Sequence, residues 1–147
     1  MSKYKLEGEQ FCIEDYEKQP AFSSFLPGLA GVRGIPLWVF YTNRGQGINS
    51  FGVHNKGNSI MEFNPANTAY ENTALKGFST FLRRNGNFYE PFGSYNASSK
   101  RVMCVEKNRL VITENCKDLG LNIKVTYFVL PTESIGALVR KVEITNV

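Results

Sequence analysis

The chain has 147 residues, 42% apolar and 20% charged, with 11 Phe, 7 Tyr and 1 Trp. A domain of this length buries roughly 68–70% of the surface its unfolded form exposes, and the composition excludes a disordered or low-complexity protein. The formal charge of +4 arises from 17 basic and 13 acidic residues spread as short pairs such as Arg83-Arg84, Lys100-Arg101 and Arg140-Lys141, which argues against the clustered basic face of a nucleic-acid binder.

In chain order, the start "MSKYKLEGEQFCIEDYEKQ" lacks a basic stretch followed by an apolar one, and no window approaches the apolar length of a spanning helix. The expectation is a soluble cytoplasmic protein. The first 35 residues include "PAFSSFLPGLAGVRGIP", whose Pro and Gly content predicts a mostly irregular arm packed against sheets. "PLWVFYTN" is a continuous apolar run of strand length, consistent with a strand covered on both faces. "GINSFGVH" follows and ends at "NKGN"; "SIMEF" ends at "NPAN", where Pro65 cannot donate to a ladder.

"GFSTFLRR" and "FYEPF" flank Asn85-Gly86, a pair that tolerates the positive φ of a tight hairpin turn. "RVMCVEK" and "RLVITEN" predict a second hairpin around Lys107-Asn108. In "LNIKVTYFVL" strand alternation puts Leu121, Ile123, Val125, Tyr127 and Val129 on a core face and Asn122, Lys124 and Thr126 on a partly wet one. "IGALVRKVEITNV" reads as a strand still running at Val147, and the expectation is either the front piece of something longer or an edge strand that needs a partner.

No long stretch carries a 3.6-residue period, so helices should be few and short, and hairpins in series favour an antiparallel all-β sandwich over a parallel sheet. Cys12, Cys104 and Cys116 match neither a metal spacing nor a disulfide framework, and are expected to be buried thiols. In a cytoplasmic protein the "NAS" sequon at Asn96 is not expected to be glycosylated.

Chemistry has few carriers. In "FYTNRGQGINSFG", Phe40 to Gly52, the spacing of Gly45, Gly47 and Gly52 with strands on both sides excludes a dinucleotide fingerprint, and no Gly-Lys-Ser or Gly-Lys-Thr makes a P-loop. The glycines read as a hairpin corner. Asn43, Arg44 and Gln46 at its tip have the donors to grip hydroxyls or an anion. "MEFNPANTAYENT" adds Asn64, Asn67 and Tyr70, amide and aromatic groups that suit sugar hydroxyls and C–H faces but equally support turns. Glu62, Glu71 and Glu90 are the carboxylates considered for glycoside hydrolysis, and nothing in the sequence pairs any two of them. His54 is the single histidine and no nucleophile elbow exists, so hydrolytic catalysis, a catalytic residue set and a metal site are not expected.

The order of "FSSFLPGLAGVRGIPLWVFYTNRGQGINSFG", "IMEFNPANTAYENT", "GFSTFLR" and "VTYFVLPTESIGALVRKVEITN" resembles the N-terminal region of glycoside hydrolase family 94, the cellobiose-phosphorylase-like enzymes, with a closer likeness to the branch acting on β-1,2-linked oligoglucans. The resemblance covers about Phe22 to Asn146. It implies an N-terminal super-sandwich longer than this chain, hence an incomplete sandwich here whose exposed edges drive association, preceding a helical linker and an (α/α)6 barrel that would hold the general acid; neither Asp15 nor Asp118 lies in such a context. It implies inverting phosphorolysis, with inorganic phosphate as co-substrate, no other cofactor, a β-glucan oligosaccharide as substrate and a homo-oligomer as the assembly. This chain would then be a non-catalytic domain that supports the barrel and lends rim residues, with Arg44, Gln46, Asn64 and Asn67 as candidates. A stand-alone carbohydrate-binding sandwich and a basic nucleic-acid-binding β-barrel remain the alternatives.

Overall fold

A computed structural model describes residues 3–93 and 99–147; the Asn96 sequon lies outside them. In chain order the strands are β1 (Tyr4–Glu7), β2 (Gln10–Glu14), β3 (Ser23–Leu26), β4 (Leu29–Ala30), β5 (Ile35–Thr42), β6 (Ile48–Val53) and β7 (Ser59–Met61). After the helix α1 (Ala66–Lys76) come β8 (Leu82–Arg84), β9 (Asn87–Tyr89), β10 (Lys100–Val105), β11 (Arg109–Cys116), β12 (Leu121–Leu130) and β13 (Ala137–Asn146). The pairings between these strands are antiparallel: a six-stranded sheet of order β1-β2-β10-β11-β12-β13, a second sheet of order β3-β5-β6-β7 with β4 added to β5, and the separate β8–β9 pair.

The two sheets enclose one core, as the expected sandwich requires. Ile13, Met103, Leu110, Ile112, Ile123, Val125 and Tyr127 enter it from the larger sheet, and Leu37, Val39, Tyr41 and Ile48 from the smaller. On β12 the expected alternation holds: Ile123, Val125, Tyr127 and Val129 are buried and Lys124 is exposed. Thr126, placed by the same alternation on the wet face, is only 8% exposed. The run "PLWVFYTN" forms most of β5, with Val39, Phe40, Tyr41 and Thr42 all buried because the core covers one face and α1 and Phe63 cover the other.

Turn chemistry sets the connections. Asn85 (φ 51°) and Gly86 (φ 83°) form the expected two-residue turn between β8 and β9, the left-handed pair that matches the twist of a hairpin. The β10–β11 hairpin also forms where it is expected, with Glu106 and Arg109 closing it through a backbone hydrogen bond of 2.9 Å.

Three expectations change. The first 35 residues are irregular only in part, since they hold β1 to β4; strands of two to five residues are too short to show a period in the sequence. The asparagine-rich stretch after Pro65 is not a turn but the start of α1. Pro65 precedes the first helical residue with φ −56°, and Ala66, Ala69, Ala74 and Leu75 are good helix formers. Finally, Cys12 and Cys104 are not free thiols. They lie directly opposite each other on β2 and β10 and form a disulfide, a pairing across 92 residues that no local spacing reveals. Cys116 is a buried free thiol as expected. Among the described residues no helix is long and apolar enough to cross a membrane.

Candidate functional site

The loop Asn43–Gly47 joins β5 to β6. Gly45 (φ 50°) and Gly47 (φ 86°) take left-handed conformations, and the Thr42 N–H donates to Gly47 O at 2.9 Å, so the glycines do turn the corner. The side chains of the tip divide into two groups.

Asn43 points inward and is fully buried. Its Nδ2 donates to the carbonyls of Tyr16 and Pro20, both at 2.9 Å, and its Oδ1 accepts from Phe22 N–H at 2.8 Å. That amide ties the N-terminal segment to the sheet and has little left for a ligand. Gln46 is also buried, and its Oε1 accepts from Arg140 and from the Thr80 hydroxyl while Nε2 donates to Pro91 O at 3.4 Å. Arg44 is different. It is half-buried, donates to Asn43 O (2.8 Å) and Gln19 O (3.3 Å), and sits 5.8 Å from the centroid of the Tyr70 ring. A guanidinium has five N–H donors, so these two bonds leave donors to spare.

Beneath the loop lies a buried ionic cluster. Arg101, 7% exposed, donates from Nε to Glu114 at 2.9 Å, from one terminal nitrogen to Glu17, and from the other to Gly93 O at 2.6 Å. Glu114, 0% exposed, also accepts from the Tyr89 hydroxyl and Phe92 N–H. Glu17 closes the circuit: its second oxygen accepts from Gly45 N–H at 2.9 Å, and the Tyr16 hydroxyl donates to Gly45 O. Burial raises the Glu17 carboxyl above its ordinary range, opposed by the Arg101 charge. Burial, followed by the hydrogen bonds to Cys116 and Glu114, raises the Tyr89 hydroxyl.

A cleft of about 310 Å³ opens above this cluster, lined by Glu17, Arg44, Gln46, Thr73, Phe78 and Glu90 among others. Helix α1 forms one wall: Gly45 approaches Ala74 so closely that a Cβ would lie 2.9 Å from its Cα, and Thr42 donates to Thr73 across 3.1 Å. Phe78 carries the Arg140 guanidinium 5.8 Å from its ring centroid, and Arg140 donates to the Tyr127 hydroxyl, which burial pushes up to about 12 against that charge.

Of the residues singled out in the sequence, Arg44, Gln46 and Glu90 reach this cleft, and Tyr70 supports Arg44. Asn64 and Asn67 do not line it. Asn64 donates to Glu62 O and accepts from Asn72, both at 3.3 Å, and Asn67 is exposed at the opposite end of α1. Glu62 and Glu71 are exposed surface groups, and so is His54. Glu17 and Arg101 had no local signal, because the partners that bury them come from positions up to 84 residues away.

Chemically, the cleft can hold a polar ligand by Arg44 and Glu90 with an aromatic wall in Phe78. Glu17 is spent: both its oxygens already accept structural hydrogen bonds, which unsuits it as a proton-transfer group. Among the described residues no group of three His, Cys, Asp or Glu side chains is placed to hold a metal ion. Compared with protein-family models and with curated proteins, the chain matches none.

Proposed function

We propose that this chain is the non-catalytic β-sandwich of a carbohydrate-active inverting glycoside phosphorylase acting on β-linked glucans. It supports an (α/α)6 barrel that holds the general acid and the phosphate site, shapes the active-site rim and takes part in a homo-oligomer. The observation that carries the reading is the state of the cleft: the half-buried Arg44 lines it with N–H donors to spare and the Tyr70 ring against it, while the half-buried Glu17 carboxylate is committed to structure. Such a site grips hydroxyls or phosphate oxygens without performing acid–base chemistry. The sequence likeness supplies the enzyme class, and the antiparallel sandwich agrees with it. The cytoplasmic location expected from the sequence stays a proposal; the Cys12–Cys104 disulfide is a bond that oxidising compartments maintain, so it weighs against that location.

A stand-alone carbohydrate-binding sandwich is the second reading, favoured by the same cleft if the chain binds oligoglucan with no barrel present. Two measurements test the proposal. The chain by itself, given oligoglucan and phosphate, is expected to release no sugar phosphate; turnover would refute the non-catalytic role. In the complete enzyme Arg44→Ala is expected to raise KM for oligoglucan or phosphate tenfold or more, and unchanged kinetics would remove Arg44 from the rim.

A further inference from the structure

The outer face of the six-stranded sheet carries a second concavity of about 500 Å³, built from different residues than the cleft. Strand alternation brings its lining to one side. Lys124, Thr126 and Phe128 follow one another on that face of β12; Arg109 stands opposite Phe128 on β11, and Lys141 opposite Thr126 and Glu143 opposite Lys124 on β13. Directly opposed residues are neighbours at roughly 4.5–5.5 Å between Cβ atoms, so these groups form one contiguous patch.

Two features make it more than a solvated sheet. First, charge is unbalanced: three cations share the groove with one lining carboxylate, Glu143, which already serves both Lys141 (3.1 Å) and Lys124 (3.9 Å). The guanidinium of Arg109 has its pair outside the groove, in Glu106 at 3.5 Å. Second, the floor is built rather than open: Thr126 is 8% exposed, and the half-buried Phe128 offers an aromatic surface beside the cations.

We infer that this groove binds a phosphorylated sugar, with the hexose ring against Phe128 and the phosphate held among Arg109, Lys124 and Lys141. A phosphate dianion presents three acceptor oxygens, which suits cations arriving from three adjacent strands. A neutral glycan would leave the charge excess unmatched. A single nucleic-acid strand needs a series of stacking platforms, and among the described residues the groove lining contains one aromatic side chain. The choice of a sugar for the ring rests on the carbohydrate reading above; the groove and its charge do not.

The test is a titration of the chain with glucose 6-phosphate, read by amide chemical shifts, with glucose and inorganic phosphate as separate arms. Saturable shifts confined to β11, β12 and β13 are expected for glucose 6-phosphate, with inorganic phosphate at least tenfold weaker. Phe128→Leu should weaken glucose 6-phosphate about tenfold and leave inorganic phosphate unchanged, since it removes only the ring contact. Lys124→Gln combined with Lys141→Gln should weaken both ligands and flatten their salt dependence. Equal affinity for glucose 6-phosphate and inorganic phosphate, shifts centred on the Arg44 cleft, or no saturation by about 10 mM, tenfold above a millimolar Kd, would overturn the assignment. The Arg44 experiment reads turnover by the complete enzyme and this one reads binding on the opposite side of the larger sheet, so either can fail without the other.

Discussion

Replacing Arg101 by Met removes the one cation of the buried cluster and keeps the volume of its stem. Three donated hydrogen bonds vanish, to Glu114, Glu17 and Gly93 O. Glu17 has 22% of its side chain exposed and can recruit water, but Glu114 is 0% exposed and would be left with only the Tyr89 hydroxyl and Phe92 N–H as partners. Breaking a buried pair by deleting one partner costs about 3–5 kcal/mol, because the surviving charge stays desolvated. Against a total stability of roughly 5–15 kcal/mol that is a large fraction. Urea unfolding at neutral pH, followed by circular dichroism, measures it. The companion variant Arg101→Met/Glu114→Gln removes the orphaned charge and is expected to recover part of the loss. A cost under about 1 kcal/mol, the value of an exposed ion pair, or a double variant no better than the single one, would refute the reasoning.

Further outcomes follow from the same geometry. Gly45→Ala should destabilise by about 2–4 kcal/mol, since it adds left-handed strain to a backbone clash with Ala74, while Gly86→Ala, at φ 83° with open space around it, should cost only about 1 kcal/mol; thermal unfolding compares the two. Under non-reducing conditions a thiol reagent should find one reactive group, Cys116, and only after unfolding, and reduction of the Cys12–Cys104 bond should lower stability by about 4 kcal/mol through the chain entropy of a long loop. Glu17 has a folded pKa raised above its usual 4.5, so its contribution is fully present below the unfolded value and is lost as pH rises through the folded one. Glu17→Gln should therefore flatten the stability curve in that window, in urea midpoints measured between about pH 4 and pH 7. If both proteins show the same slope, the burial argument for Glu17 fails.

The candidate site was half legible. Arg44 and Gln46 stood out because a polar tip between apolar strands is a local pattern, and both line the cleft; Glu90, weighed in the sequence only as an unpaired carboxylate, lines it too. Asn43 looked like a ligand donor for the same reason as Arg44, yet its amide is consumed by Tyr16, Pro20 and Phe22. Neighbouring residues on a loop can face opposite ways, and no composition rule distinguishes them. Asn64 and Asn67 were drawn in by amide content, but they lie just before and in the first turn of α1, and neither lines the cleft.

Local information settled the strands of β5, β10, β11 and β12, the turn at Asn85-Gly86 and the antiparallel character of the fold, since alternation, β-branched residues and positive-φ turns act over a few neighbouring positions. It was silent on everything that depends on residues far apart in the chain meeting in space. The Cys12–Cys104 bridge, the Glu17–Arg101–Glu114 cluster and the groove of Arg109, Phe128 and Lys141 exist only once β2 lies on β10 and β13 on β12. Burial and charge pairing are properties of that arrangement, because desolvation is set by what surrounds a group in three dimensions and not by its sequence neighbours.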